Sequence, residues 1–161
     1  MSSKPRLNAL AAALASAAML ALPVAGVADV HKHGGASEVH KLSLDQGKKW
    51  ATDEPLRKNM GDIRAALAAK EAGIHKGALT SDEYKAIGTL VEARVATIVA
   101  ECKLEPAADA NLHLIVADLL AGADAMQGKS KTTPAAGAGQ TVRAVNQYGR
   151  FFTHPGWKPL G

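Results

Sequence analysis

Six histidines, four methionines and one cysteine are the side chains of this 161-residue chain best suited to holding a transition metal. Three of the histidines, His31, His33 and His40, crowd into the polar stretch DVHKHGGASEVHKLSLDQGKK, directly after an alanine-rich apolar leader. Met60, His75, Cys102, His113 and His154 are spread along the remainder. If the leader is cut after Ala28, the chain begins Asp29-Val30-His31-Lys32, with a free amine and a histidine third. The Asp29 amine, the backbone nitrogens of Val30 and His31 and the His31 imidazole can then surround Cu(II) or Ni(II) in a square plane, the geometry that suits those ions. His33 and His40 offer further imidazoles for copper or zinc. A cut after Gly26 would place His31 fifth and abolish the arrangement.

The tetrapeptide resembles the amino-terminal copper and nickel motif of serum albumin, and the resemblance implies metal coordination by Asp29, Val30 and His31. Its premise is export. Residues 1–28 read as a signal peptide: Lys4 and Arg6 give the positive start, residues 9–22 the apolar run, Pro23 a break, and Gly26 and Ala28 the small positions before the cut. The expected location is the periplasm. The uncharged part approaches the roughly 20 residues of a membrane span, but its alanines and proline favour cleavage, which leaves no stable span. No cysteine follows the small residues to accept a lipid.

Cleavage removes two cations, Lys4 and Arg6, so the formal charge falls from +4 to +2, and the pI of about 9.3 overstates the basicity of the mature protein. Lysines and arginines are interleaved with acids rather than clustered, which excludes a nucleic-acid footprint. The single Cys102 cannot form an internal disulfide. Stability must therefore come from packing.

The elements that would position these residues are helical. Residues 29–49 form a flexible histidine-containing arm, and residues 50–161 read as an all-α domain, an antiparallel up-down-up-down four-helix bundle. The first helix starts near Thr52 or Asp53, where TDEP supplies a capping oxygen, acids in the first turn and an early proline. Leu56, Met60, Ile63 and Leu67 share one face, with Asp53–Arg57 and Glu54–Lys58 as charge pairs one turn apart. Gly73 and Gly77 mark the following loop, which holds His75. The second helix opens on a Thr80–Glu83 capping box and carries Tyr84, Ile87, Val91, Val95, Ile98 and Cys102 inward, so that Cys102 reads as a small buried hydrophobe.

The third helix lies between Leu104 and Met126. Its broad apolar face, Leu112, Ile115, Val116, Leu119, Leu120, Ala123 and Met126, can contact two neighbours. His113 stands at the edge of that face, with Asp109 one turn earlier to orient its ring. Residues 127–140 read as a flexible low-complexity connection. The fourth helix is expected from Thr141 to Thr153 before Pro155, with Val142, Val145, Gly149 and Phe152 inward and Tyr148 beside them. Gly61, Gly88, Gly122 and Gly149 put one glycine in each helix, at about 1 kcal/mol apiece relative to alanine, which close helix approach would offset.

In this topology Trp50, Phe151, Phe152, Trp157, Cys102 and His154 gather at one end, and Met60 and His113 each lie about 10 Å inward. Met60 is then the cross-bundle partner for His113 if His113 is a ligand. The architecture resembles cytochrome b562 and cytochrome c′, which implies haem held between Met60 and a histidine of the last helix. His154 is out of level with Met60 by about 10 Å, and no CxxCH is present for covalent attachment, so haem ranks below the other metals. The segments GALTSDEY, VATIVAECKLEPAADANLHLIVADLLAGADAM and NQYGRFFTHPGW also resemble a family of small exported proteobacterial four-helix proteins without assigned activity. That resemblance implies a shared fold and no mechanism.

No GxSxG, HExxH or phosphate-cradling glycine loop occurs, and the carboxylates fall at caps and polar faces, so no enzymatic activity is expected. Two functions follow from the residues. One is a periplasmic metal-binding or metal-buffering protein, with copper first and Ni(II) or Zn(II) behind it. The other is a structural or interaction module whose helix faces or aromatic end meet another envelope protein.

Overall fold

The computed structural model describes residues 41–161. The leader and Asp29, Val30, His31, His33 and His40 lie outside the described residues. Within them the chain is all-helical, with α1 at Glu54–Ala68, α2 at Glu71–Lys76, α3 at Ser81–Glu101, α4 at Pro106–Met126 and α5 at Pro134–Phe151. None of these helices is long and apolar enough to cross a membrane.

The helix starts follow from local chemistry. Asp53 caps α1 by accepting the Leu56 N–H, and Pro55 occupies the first turn, where a missing donor costs nothing. Thr80 and Glu83 close a reciprocal capping box on α3. Two elements differ from the sequence reading. A short helix, α2, forms where a loop was expected; it carries His75 and ends at Gly77, whose φ of +61° is cheap for glycine. The last helix begins at Pro134 rather than near Thr141, because Thr133 accepts the Ala136 N–H and the proline fits the first helical position. The connection thus shrinks to residues 127–133. The charge pairs on α1 also differ: Lys58 meets Asp62 at 3.1 Å, and Arg57 donates to the Thr52 carbonyl.

Packing is most extensive between α4 and α5, then between α3 and α4, then between α1 and α3. The start of α1 meets the end of α3 through the Lys103 N–H, which donates to Asp53 Oδ2 at 2.7 Å. Beyond the end of α1, Lys70 pairs with Glu83 at the start of α3 at 2.8 Å. The end of α5 returns to the start of α1: the Trp50 N–H donates to the Phe151 carbonyl and the Thr153 N–H to the Trp50 carbonyl, each at 2.8 Å. Leu56, Met60, Ile63, Leu67, Val91, Ile115, Leu119, Val145, Tyr148 and Phe152 are fully buried. On α5 the inward row is Ala138, Thr141, Val145 and Tyr148, so Val142 is only half-buried and Tyr148 takes the central place.

Close approach accounts for three of the four glycines that the sequence places in helices. A Cβ on Gly122 would stand 2.2 Å from Thr141 Oγ1 and 2.8 Å from the Gly137 carbonyl, and one on Gly88 would stand 2.8 Å from the Ala123 carbonyl. Gly149 lies under the Trp157 indole, 2.1 Å from Nε1 by the same construction. Gly61 is different, with nothing within 4 Å.

Both ends of the described chain are tied down. The Ser43 N–H donates to Asn111 Oδ1 on α4 at 2.8 Å, and Trp50 Nε1 donates to the Ser43 carbonyl at 2.7 Å. Ser43, within the stretch read from sequence as a flexible arm, is therefore tied to α4, and Leu42 packs against the core. Residues 153–161 form a strap along α5 and α1, in which Asn146 and Leu160 exchange two hydrogen bonds of 3.0 and 2.9 Å. Arg64 donates to the Lys158 carbonyl.

Gly122→Ala is expected to destabilise the protein by about 1–3 kcal/mol through overpacking. Gly61→Ala is expected to stabilise it by about 0.5–1 kcal/mol through helix propensity. Urea unfolding midpoints of the two variants check the pair, and a Gly122→Ala protein as stable as the wild type would contradict the close contact of α4 with α5.

Candidate functional site

The end of the molecule where α1 starts and α3 and α5 finish holds most of its chemistry. Asp53 is its hub. Oδ1 accepts the Leu56 N–H at 3.0 Å, and Oδ2 accepts the Lys103 N–H at 2.7 Å. One carboxylate thus closes the start of α1 and holds the turn between α3 and α4. Burial pushes its pKa up, but the N–H groups of Lys103 and Leu56 and the Cys102 thiol outweigh that, and Asp53 titrates below its ordinary value of 3.8.

Cys102 is the residue at which α3 stops, half-buried rather than sealed in the apolar row, because the helix ends at Glu101. Burial, followed by the carboxylates of Asp53, Glu101 and Asp109, pushes its thiol up to about 12. At neutral pH it is a protonated donor to Asp53 and a poor nucleophile.

The aromatic gathering expected at this end is present. Tyr148 is fully buried, stacks on Phe152 with ring centres 5.5 Å apart, and meets the Trp157 edge at 4.9 Å. Its hydroxyl lies 3.0 Å from His154 Nδ1. Burial holds the phenol well above its ordinary value, so the contact joins a neutral hydroxyl to the imidazole. Burial first, and the Arg57 guanidinium second, hold His154 below its ordinary 6.5. Trp50 joins through its backbone pairing with Phe152, while Phe151 is half-buried.

His113 stands apart from this cluster. Its side chain is 65% exposed on α4, with Nδ1 2.9 Å from the Asp109 carbonyl oxygen and 3.3 Å from Asp109 Oδ2. The orienting contact read from sequence is therefore formed. The ring borders a groove of about 320 Å³ between the end of α3 and the start of α4, floored by Ile98, Leu112 and Val116 and rimmed by Val99 and Cys102. Met60 is no part of that lining and has no exposed surface. Helix phase sets the two residues expected to share a metal apart in environment: Met60 is sealed in the core and His113 stands in solvent. His154 is held by Tyr148 and Trp157. Among the described residues, no three His, Cys, Asp or Glu side chains converge to hold a metal ion.

Several contributors were invisible in the sequence. The second bond of Asp53, the anchoring of Ser43 by Asn111 and the Asn146–Leu160 exchange all join residues far apart in the chain. Asn111 on an inward face was the available signal, because a buried amide requires a partner. Compared with protein-family models, with curated proteins and with solved structures, the chain has no match.

Asp53→Ala is expected to lower stability at neutral pH by about 1–2 kcal/mol, the cost of losing a helix cap. Because the folded-state pKa of Asp53 is depressed, its contribution is complete above the ordinary 3.8 and is lost as pH falls through the lower folded value. Urea melts between neutral pH and about pH 3 should therefore show a shallower acid limb in the variant. Identical limbs in the two proteins would contradict the role given to this carboxylate.

Proposed function

We propose that this chain is a periplasmic metal-binding or metal-buffering protein, with copper as its first metal and Ni(II) or Zn(II) behind it. The observation that carries the reading is the order Asp29-Val30-His31 directly after Ala28, followed closely by His33 and His40. An amine, two backbone nitrogens and an imidazole give a planar nitrogen set for Cu(II) or Ni(II). The amide protons of Val30 and His31 must leave for the set to close, so affinity falls in acid.

The carrier of this arm is, on the same reading, an antiparallel up-down-up-down four-helix bundle of α1, α3, α4 and α5, with α2 a short turn on the first connection. Its support is the meeting of helix starts with helix ends at Asp53–Lys103, Lys70–Glu83 and Trp50–Phe151. A binding rather than catalytic role accords with the Cys102 thiol, which is protonated at neutral pH. One observation favours a second reading, an interaction module of the cell envelope. Val99 on α3 and Leu120 on α4 are 66% and 37% exposed, on faces that can meet an envelope protein.

Calorimetric titration of Cu(II) into the mature exported protein tests the first reading. The expected result is a tight one-to-one phase that weakens by more than about tenfold, or about 1.4 kcal/mol, in His31→Ala. His113→Ala is expected to leave that phase unchanged. A titration that His31→Ala does not alter overturns the copper reading and leaves the interaction module.

A further inference from the structure

We infer that the strap formed by residues 153–161 is an acid-released latch, with His154 as the group that releases it. This goes beyond the metal reading and does not depend on it. The buried Tyr148 hydroxyl has one hydrogen-bond partner among the described residues, His154 Nδ1 at 3.0 Å. A phenol that donates needs an acceptor, and a neutral imidazole nitrogen is one. Protonation turns Nδ1 into a donor, and the phenol oxygen can accept from it only by turning its own hydrogen away, where no acceptor stands among the described residues.

The surroundings give the new charge no compensation. From α5, His154 meets the neutral Tyr148 hydroxyl, and from the strap itself the Trp157 ring at 4.7 Å. From α1 it meets the positive field of Arg57, whereas Asp53 and Cys102 act on Tyr148 rather than on His154. An imidazolium here is partly desolvated, faces a like charge and has lost its acceptor role.

The other fastenings of the strap are uncharged or exposed. At its start the Thr153 N–H donates to the Trp50 carbonyl and the Thr52 hydroxyl to the Thr153 carbonyl; further on come the Asn146–Leu160 exchange, the Arg64 contact with the Lys158 carbonyl and the Gly161 N–H on Glu71 Oε1. Opening would bare Trp157, now against Gly149 and Tyr148, and Leu160, now 6% exposed. Acid would thus uncover a stretch of α5 beside a released segment that carries Trp157 and Leu160.

The direction follows from linkage. Above the ordinary histidine value of 6.5 the closed and open straps are both neutral at His154, and pH has no effect. As pH falls through 6.5 the open strap takes up a proton first, and opening grows until the closed value is passed. Each unit between the two values multiplies the opening equilibrium by about ten.

Amide hydrogen exchange by NMR on the mature chain, from about pH 7.5 to about pH 5 and corrected for intrinsic exchange, reads this directly. The opening constants at the Thr153 and Leu160 amides are expected to rise toward acid, up to about tenfold per unit of pKa difference. Amides of Val95 and Leu119 are expected to stay level. His154→Gln, which keeps an uncharged acceptor for Tyr148, should make the strap amides independent of pH. Strap opening that does not change with pH in the wild type, or the same dependence surviving in His154→Gln, overturns the latch. Should that variant fail to fold, the His154 ring titration in the wild type decides: a value below 6.5 supports the latch, and one at or above it overturns it.

Discussion

Contact of backbone with backbone between α4 and α5 is the constraint on which the rest of the structure depends. Aromatic residues make up only 4% of the chain, and much of its apolar content is alanine, so widely spaced helices could not fill the space between them. Gly122 and Gly137 remove the side chains that would hold α4 and α5 apart, and Gly88 does the same between α3 and α4. With α4 seated against both neighbours, Ile115, Leu119 and Met126 on α4 and Leu56, Met60 and Ile63 on α1 keep no more than about a hundredth of their surface exposed. The slimness of the helices follows from composition, and the positions of the larger side chains follow from the slimness.

Five of the six aromatic residues are spent at one end, Tyr84 at the start of α3 being the exception. Tyr148, Phe152 and Trp157 close the region where α5 finishes, and Asp53 fastens α1 to the turn between α3 and α4 beside them. That end therefore combines tight packing with ionisable groups whose neighbours shift them in different directions. Asp53 is held ionised by backbone donors, Cys102 is held protonated by burial and by carboxylates, and His154 is held neutral by burial and by Arg57. The result is a structural junction in which protonation state and packing are coupled, with no nucleophile formed at neutral pH.

Much of the fold was legible in local sequence. TDEP, the Thr80–Glu83 box and the inward rows of α1, α3 and α4 each state a start or a face within a few residues, and each is found where it was read save that Cys102 is half-buried and Leu120 is exposed. The start of α5 was readable too, in Thr133-Pro134, but the glycine and alanine of PAAGAGQ suggested a linker; helical glycines here serve contact, as Gly137 shows. What could not be read were bonds between distant residues, such as Ser43 to Asn111 and Leu160 to Asn146, which depend on tertiary placement. The candidate site divides in the same way. The orientation of His113 by Asp109 is an i, i+4 relation and was visible, whereas its separation from Met60 required the phase of two helices in space.

The chemistry assigned to this protein therefore rests on two parts that differ in kind. The helices supply a filled core and a pinned entry for the chain at Ser43, and the copper reading draws its nitrogen ligands from the residues before Lys41. Everything in the copper reading follows from which residue carries the free amine, since a shift of two positions moves His31 from third to fifth. The intact mass of the protein recovered after export measures that directly. The mass of a chain beginning at Asp29 is predicted; a mass corresponding to any other first residue would contradict it.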